Sequence, residues 1–372
     1  MSEFADKPGL KPAFIFEDDP ELEHECTSWM VFHDQTGSNA NILHKNRDAK
    51  ARDIAVYLSP ENSPRKWIAL GTDGKTNMGM NTSGLAGVMN SGEAYIDPAS
   101  DKSKKTTPEL LRVILDTCDT AAQAVEKLED MISEGDYWHK DCGSIFFLMD
   151  KDEGYVCEFT LYNFTSVLYK DGYAVRANIW QNPHMQQYSR SNVRKYMNSS
   201  ARAHMAFSGL NKMLDETGKI SLPGIFALSR QCQMFEGCSE KRPVCFVRTN
   251  STASLEIDRQ YPDVLSSGYF TIGHPRNTVY LPVPICAEKI LPSMGDYSWS
   301  DAAWKRFDEL GFNAPLPEAW LKFEQISMEK YCSAKDEARK LLGQGKRNDA
   351  VELLNSCAMA IWKEAADMLG IN

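Results

Sequence analysis

No CxxC pair occurs among the ten cysteines of this 372-residue chain, which argues against structural zinc of the finger type. Ten cysteines over that length are also too sparse for a disulfide scaffold. Cys118, Cys157, Cys245 and Cys357 lie in apolar surroundings and read as buried thiols. No apolar run approaches the roughly 18 residues that a membrane-spanning helix needs. The N-terminus lacks the basic start and apolar centre of a secretory signal. His33, His44, His139 and His274 show no HExxH or other ligand spacing, so no metal is assigned, and no cofactor is expected. Lys and Arg are outnumbered 41 to 51 by Asp and Glu, for a net charge of -10, and are concentrated nowhere. Nucleic acid is therefore not an expected partner. The chain reads as soluble with no membrane partner: cytoplasmic as it stands, periplasmic or secreted if a native signal was removed.

Residues 1–25 hold eight acidic and two basic side chains with Pro8, Pro12 and Pro20, and too little apolar periodicity to build core. They read as a leader or propeptide. At Cys26 the texture changes: Thr27 to Phe32 is rich in the aromatic and β-branched residues that favour strands, and a turn at Gly37 to Asn39 leads to a second strand, Asn41 to Lys45. Ile54 to Leu58, Trp67 to Gly71 and Leu85 to Met89 follow as short strands between Pro, Gly and Asn punctuation. From Thr107 the period becomes helical, with Pro108 at a helix start and Leu110, Leu111, Ile114 and Leu115 on one face, repeated over Ala121 to Ile132. Strands resume at Ser144 to Met149, Tyr155 to Phe159 and Ser166 to Tyr169. Residues 185–240 are polar with helix-compatible stretches, and Val244 to Arg248, Ser254 to Ile257, Tyr269 to Ile272 and Thr278 to Leu281 read as further strands. Two amphipathic segments, Glu318 to Leu342 and Asn348 to Met368, split by Gly343-Gln344-Gly345, predict a C-terminal helical hairpin. The order fits a layered α+β fold: a leader over 1–25, a catalytic domain over 26–315 and a helical extension over 316–372.

Cys26-Thr27-Ser28 at the head of a strand, behind a dispensable acidic leader, is the arrangement expected if cleavage between Glu25 and Cys26 frees an α-amine. A cysteine whose own amine, with pKa about 7.7–8.0, sits beside its thiol needs no separate histidine base. Alone, Cys26 reads as an ordinary strand cysteine. A hairpin of the first two strands, however, returns Lys45-Asn46-Arg47-Asp48 beside it, where a cation favours thiolate and a carboxylate can hold the new ammonium. Taken singly, that cluster is a solvated turn of mixed charge.

Four elements together resemble the N-terminal-nucleophile hydrolases of the choloylglycine-hydrolase type, especially the branch that includes isopenicillin-N acyltransferase and its bacterial amidohydrolase relatives. They are Cys26-Thr27-Ser28; Lys45-Asn46-Arg47-Asp48; Gly79-Met80-Asn81-Thr82-Ser83-Gly84-Leu85 running on to Met89-Asn90-Ser91; and Arg176-Ala177-Asn178. A weaker echo lies in Gly273 to Pro282. The resemblance implies a four-layer αββα sandwich, Cys26 as nucleophile, Asp48 as the acid that binds its amine, Asn178 as an oxyanion-hole donor and Asn90 as a second polar group near the intermediate. It departs at Lys45, where many relatives have Arg and where Lys cannot reproduce a planar bidentate contact. Arg47 is the candidate substitute, although alternation is expected to point it away from the neighbours of Lys45.

The implied reaction is attack on a linear, non-peptide or N-acyl amide through an acyl-thioester, then hydrolysis or transfer to an amine, with a small-molecule amide or short peptide as partner and a homo-oligomer allowed. The alternatives are a cysteine dipeptidase of the same nucleophile type and a catalytically silent binding protein with an uncleaved leader. Trp180-Gln-Asn-Pro-His184 reads as a loop with an incidental histidine, with the lining of a substrate pocket as the alternative.

Overall fold

Strand-forming residues open the described part of the chain, as the run after Glu25 predicts. The computed structural model describes residues 25–94, 103–138, 142–190, 193–232, 243–312 and 314–371. The expected leader, apart from Glu25, lies outside the described residues, as does His139. Six strands come first: β1 (Glu25–Val31), β2 (Ala40–Asp48), β3 (Ile54–Leu58), β4 (Trp67–Thr72), β5 (Lys75–Asn81) and β6 (Ala86–Glu93). Helices α1 (Thr107–Thr117) and α2 (Ala121–Ser133) precede β7 (Cys142–Met149), β8 (Gly154–Thr160), β9 (Phe164–Tyr169) and β10 (Tyr173–Arg176). A helical stretch follows, α3 (Pro183–Gln186), α4 (Val193–Thr217) and α5 (Leu222–Ser229). Then come β11 (Thr249–Asp258), α6 (Pro262–Leu265), β12 (Ser267–Ile272) and β13 (Leu281–Pro284). The chain closes with α7 (Pro292–Gly295), α8 (Ser298–Leu310), α9 (Glu318–Gly343) and α10 (Arg347–Leu369).

The strands form two antiparallel sheets, one in the order β10-β1-β2-β11-β12-β13 and the other β3-β4-β5-β6-β7-β8-β9. They face each other, with β1 and β2 against β6 and β12 against β4. Helices α1 and α2 cover the outer face of the second sheet, on β5, β6, β7 and β8, while α4, α5 and α10 cover the first on β1, β10, β11 and β13. This is the αββα arrangement, and it explains the texture of β1: with both faces covered, all seven residues are buried, so apolar residues need not alternate. Helix α1 starts where Pro108 predicts, and the Glu109 carboxylate accepts the Thr106 backbone N–H at 2.7 Å. The C-terminal hairpin is present as α9 and α10. Among the described residues, no helix is long and apolar enough to cross a membrane.

Three local expectations shift. Val244 to Arg248 is not a strand: Thr249 N–H donates to Phe246 O at 2.9 Å and Phe246 N–H to Thr249 Oγ1 at 2.8 Å, a turn that delays β11 to Thr249. The last strand is Leu281–Pro284 rather than Thr278 to Leu281. Cys118, Cys157 and Cys245 are buried as expected, whereas Cys357 on α10 is only half-buried.

Candidate functional site

Cys26 sits at the second position of β1, between β10 and β2, and stands directly opposite Arg47. Ser28 stands opposite Lys45, so Cys26, Ser28, Lys45 and Arg47 project from one face of the sheet toward the other sheet. This corrects the expectation that alternation separates Arg47 from the neighbours of Lys45. Two residues apart on one strand, they share a side. That side opens on a cavity of about 310 Å³ lined by Cys26, Lys45, Arg47, Asp48, Asn90 and Ser91, among others, with the start of α1 forming part of its wall.

The cavity holds cations in poor solvent. Burial pushes the Lys45 ammonium below its ordinary pKa; the Cys26 sulfur, which is also hydrogen-bonded to it, counters that, and Arg47 adds to it. Lys45 Nζ also donates to the carbonyl of Met89 on the facing sheet. Burial likewise lowers the Arg47 guanidinium, with Cys26 and Asp48 opposing. Arg47 Nη2 donates to Thr72 Oγ1 at 3.3 Å, and Nη1 has no hydrogen-bond partner among the described residues. Asp48 is buried, stands opposite Glu25, and accepts from Thr249 Oγ1 at 2.6 Å. Lys45 and Arg47 are thus the charged neighbours of the Cys26 side chain.

The two asparagines meet β1 from different segments, Asn90 from β6 and Asn178 from the bend that follows β10. Asn90 Oδ1 accepts from Ser28 Oγ at 2.7 Å, and its Nδ2 donates to Ala177 O at 3.1 Å. Asn178 Oδ1 accepts the Cys26 backbone N–H at 2.6 Å, and its Nδ2 donates to Ser91 O at 2.9 Å. Each amide thus links β1 to a second segment, and the Ser91 bond uses one of the two N–H groups of Asn178 Nδ2. The segment after Asn178 is tied down twice. Glu158 accepts from Gln181 N at 3.0 and 3.1 Å and from Asn182 N at 2.9 Å. Trp180 packs closely against Gly92 and Gly143, where an added Cβ would come within 2.6 and 2.5 Å of the indole. Trp180 is therefore a packing residue, and His184 is exposed.

All six expected residues, Cys26, Lys45, Arg47, Asp48, Asn90 and Asn178, gather around one strand end. Three contributors were not legible in the sequence. Arg202 of α4 is fully buried; its Nη1 donates to Cys26 O at 2.6 Å and Thr27 Oγ1 at 2.9 Å, and its Nη2 to Asn178 Oδ1 at 3.0 Å. Glu25 is fully buried too and pairs with Arg202 Nη2 at 2.8 Å. Glu158 is the third, and its one signal is a lone carboxylate between Cys157 and Phe159 inside an apolar strand. Among the described residues, no histidine lines the cavity beside Cys26: His44 stacks on Trp29 at 4.0 Å and bonds Ser254 and Asn46, and His274 bonds Phe246 O.

Two facing antiparallel sheets between helical layers, with a cysteine at the head of a central strand, define the N-terminal-nucleophile hydrolase fold of the choloylglycine-hydrolase type. Residues 35–253, more than half of the chain, match the family model of acyl-coenzyme A:6-aminopenicillanic acid acyl-transferase, and the chain belongs to that family. The match begins nine residues after Cys26 and includes Lys45, Arg47, Asp48, Asn90 and Asn178. Among solved structures, a variant of the conjugated bile acid hydrolase from Clostridium perfringens shares the fold at TM-score 0.50 and 12% identity, over 71% of this chain and 94% of that one. Penicillin V acylase from Agrobacterium tumefaciens aligns at TM-score 0.44 and 15% identity, over 70% and 86%. The Caenorhabditis elegans ortholog of N-acylethanolamine-hydrolyzing acid amidase aligns at 0.43 and 12%, over 64% and 94%. No curated protein matches the sequence.

Proposed function

We propose that this chain is the precursor of a thiol-dependent amide hydrolase whose mature form begins at Cys26. The observation that carries this reading is the position of Cys26: its sulfur borders the cationic cavity, and its backbone nitrogen meets the Asn178 side chain at 2.6 Å. Once residues 1–25 are gone, that nitrogen is a free amine and takes the proton of its own thiol. The sulfur attacks the carbonyl carbon of a linear amide, and the oxyanion is held by Asn178 Nδ2 with Asn90 close by. The C–N bond breaks as the ammonium returns its proton to the leaving amine. Water then attacks the thioester, the amine again taking the proton, and the acid leaves. Lys45 and Arg47 hold the thiolate, and Asp48 orients the ammonium. An amine in place of water would make the second half an acyl transfer, the activity that the family's name describes.

Intact-mass analysis and N-terminal sequencing of the purified protein test this. The expected result is a chain beginning at Cys26, alkylated there by iodoacetamide, with Cys26→Ser losing most turnover. A stable full-length chain unlabelled at Cys26 would overturn it and leave a silent binding protein. Turnover of dipeptides but not of N-acyl amino acids would instead make the enzyme a dipeptidase.

A further inference from the structure

The cavity beside Cys26 is unevenly charged: Lys45, Arg47 and Lys75 line it against one carboxylate, Asp48. Lys75 stands exposed at the rim, 3.6 Å from Asp73. Arg47 is engaged least. Its Nη2 meets the Thr72 hydroxyl at 3.3 Å, and its Nη1 is buried with no hydrogen-bond partner among the described residues. A guanidinium whose two terminal nitrogens are so lightly used is a fork for a carboxylate, which it takes through two parallel bonds.

The reaction sharpens this imbalance. Lys45 and Arg47 share the Cys26 sulfur as a negative neighbour, and a thioester sulfur is neutral. In the acyl-enzyme Lys45 keeps the Met89 carbonyl, while Asp48 has the Cys26 ammonium to hold as well as Arg47. A charge in poor solvent that loses its counterion is costly, unless the substrate brings an anion to the same place.

Arg47 is within reach of such an anion. It stands directly opposite Cys26 on the neighbouring strand, where facing side chains start about 4.5–5.5 Å apart, and both line the cavity. The cavity also sets a size and a polarity. At about 310 Å³ it lies at the low end of ligand pockets, which run from about 300 to 1,000 Å³, and Thr72, Asn77, Asn90, Ser91, Thr107 and Ser144 give it polar walls.

We propose that the substrate is a small amide carrying a carboxylate a few bonds from the scissile carbonyl carbon, and that Arg47 binds this carboxylate. The proposal rests on Cys26 being the processed nucleophile and adds the substrate class and the residue that selects it.

Two kinds of amide place a carboxylate at that distance, a succinyl amide on the acyl side and an N-acylglycine on the amine side. The test runs one pair of each on the processed enzyme: succinyl- against succinamoyl-p-nitroanilide, and N-propionylglycine against N-propionylglycinamide. The expected result is a kcat/KM at least about tenfold higher for the charged member of one pair, the scale of one charge-assisted contact, and the pair that shows it tells which side bears the carboxylate. Free succinate should slow the alkylation of Cys26 by iodoacetamide and succinamide should not, a comparison that needs neither turnover nor a variant. Arg47→Gln should bring the charged-to-neutral ratio toward one, and Arg47→Lys should restore part of it. An Arg47→Gln enzyme that loses the same factor on both members of the preferred pair would confine Arg47 to the thiolate and overturn the inference. So would a processed enzyme that prefers neither charged member and whose Cys26 succinate does not protect, and in both cases the amidase stands. A full-length chain unlabelled at Cys26 and inactive on all four compounds would overturn the underlying reading as well.

Discussion

Asn178 holds the backbone nitrogen of Cys26 through its side-chain oxygen at 2.6 Å, although 152 residues separate them. The other end of the same amide donates to Ser91 O at 2.9 Å, so Asn178 joins β1 to the facing sheet. Arg202 fixes which way the amide points: its Nη2 donates to Asn178 Oδ1, leaving Nδ2 as the donor end. On the proposed mechanism, an amide locked in this sense presents an N–H to the oxyanion that forms beside Cys26.

Asn178→Ala should therefore lower kcat of the processed enzyme by about 10²- to 10³-fold, the worth of one donor aimed at a transition-state oxyanion, with a smaller effect on KM. Steady-state kinetics on one amide substrate checks this. An unchanged kcat would make Asn178 a structural link alone.

Glu158 lies on a different strand and acts at one remove. Its carboxylate gathers the backbone N–H groups of Gln181 and Asn182, three and four residues past Asn178. Glu158→Ala frees that segment, and small misplacements of a reacting geometry can cost up to about 10²-fold in rate. The expected outcome is a fall in kcat with KM nearly constant and self-processing slowed in parallel. If kcat holds while only thermal stability drops, the residue serves the fold and not the site.

How much of this was visible beforehand follows from how local each signal is. Strands β1 to β4 and helices α1, α2, α9 and α10 announce themselves through apolar runs, helical period and turn punctuation. Strand β5, Lys75 to Asn81, carries Asn and Gly where β-branched residues would be expected, and it holds its place between β4 and β6 because Gly79 lets the backbone approach: a Cβ there would fall 2.7 Å from Ile68 O. Cys26, Lys45, Arg47, Asp48, Asn90 and Asn178 were named through a pattern of short motifs, not through local physics. Arg202 has no such pattern. It sits among Ser and Ala on a polar helix, 176 residues from the carbonyl it binds, and only the packing of α4 on β1 and β10 reveals it.

His44 predicts an acid-side loss of stability. Burial pulls its pKa from 6.5 down to about 3, the Asn46 bond opposing, so the folded protein keeps it neutral where the unfolded chain protonates it. A folded pKa below the unfolded one gives stability that is complete above about 6.5 and is lost as the pH falls toward 3. Between pH 7 and pH 5 His44 alone should contribute a loss of about 2 kcal/mol. Urea unfolding at the two pH values measures this, and His44→Gln should show a smaller difference between them. An equal difference in the variant would assign the acid sensitivity elsewhere, with His274, lowered to about 3 mainly by burial, as the next group to replace.

Several largely buried polar groups fasten the C-terminal hairpin, among them Lys335 paired with Glu256, Arg339 with Asp258, and Trp362 Nε1, which donates to Pro282 O at 2.8 Å; Glu324 makes the most short bonds of any one of them. Glu324 on α9 accepts both terminal nitrogens of Arg230 at 2.7 Å and the Tyr280 backbone N–H at 2.7 Å. Both partners are largely buried, so Glu324→Ala strands a guanidinium and an amide N–H in a dry site, where breaking such a pair costs about 3–5 kcal/mol. Glu324→Gln keeps an acceptor and should cost less. The hairpin should then open before the core does: limited proteolysis of Glu324→Ala is expected to cut within residues 314–371 while α1, α2 and both sheets stay protected. If cleavage instead begins in the sheets, or the variant unfolds as a single unit with no early cut, the hairpin is an integral part of the core and not a separately fastened element.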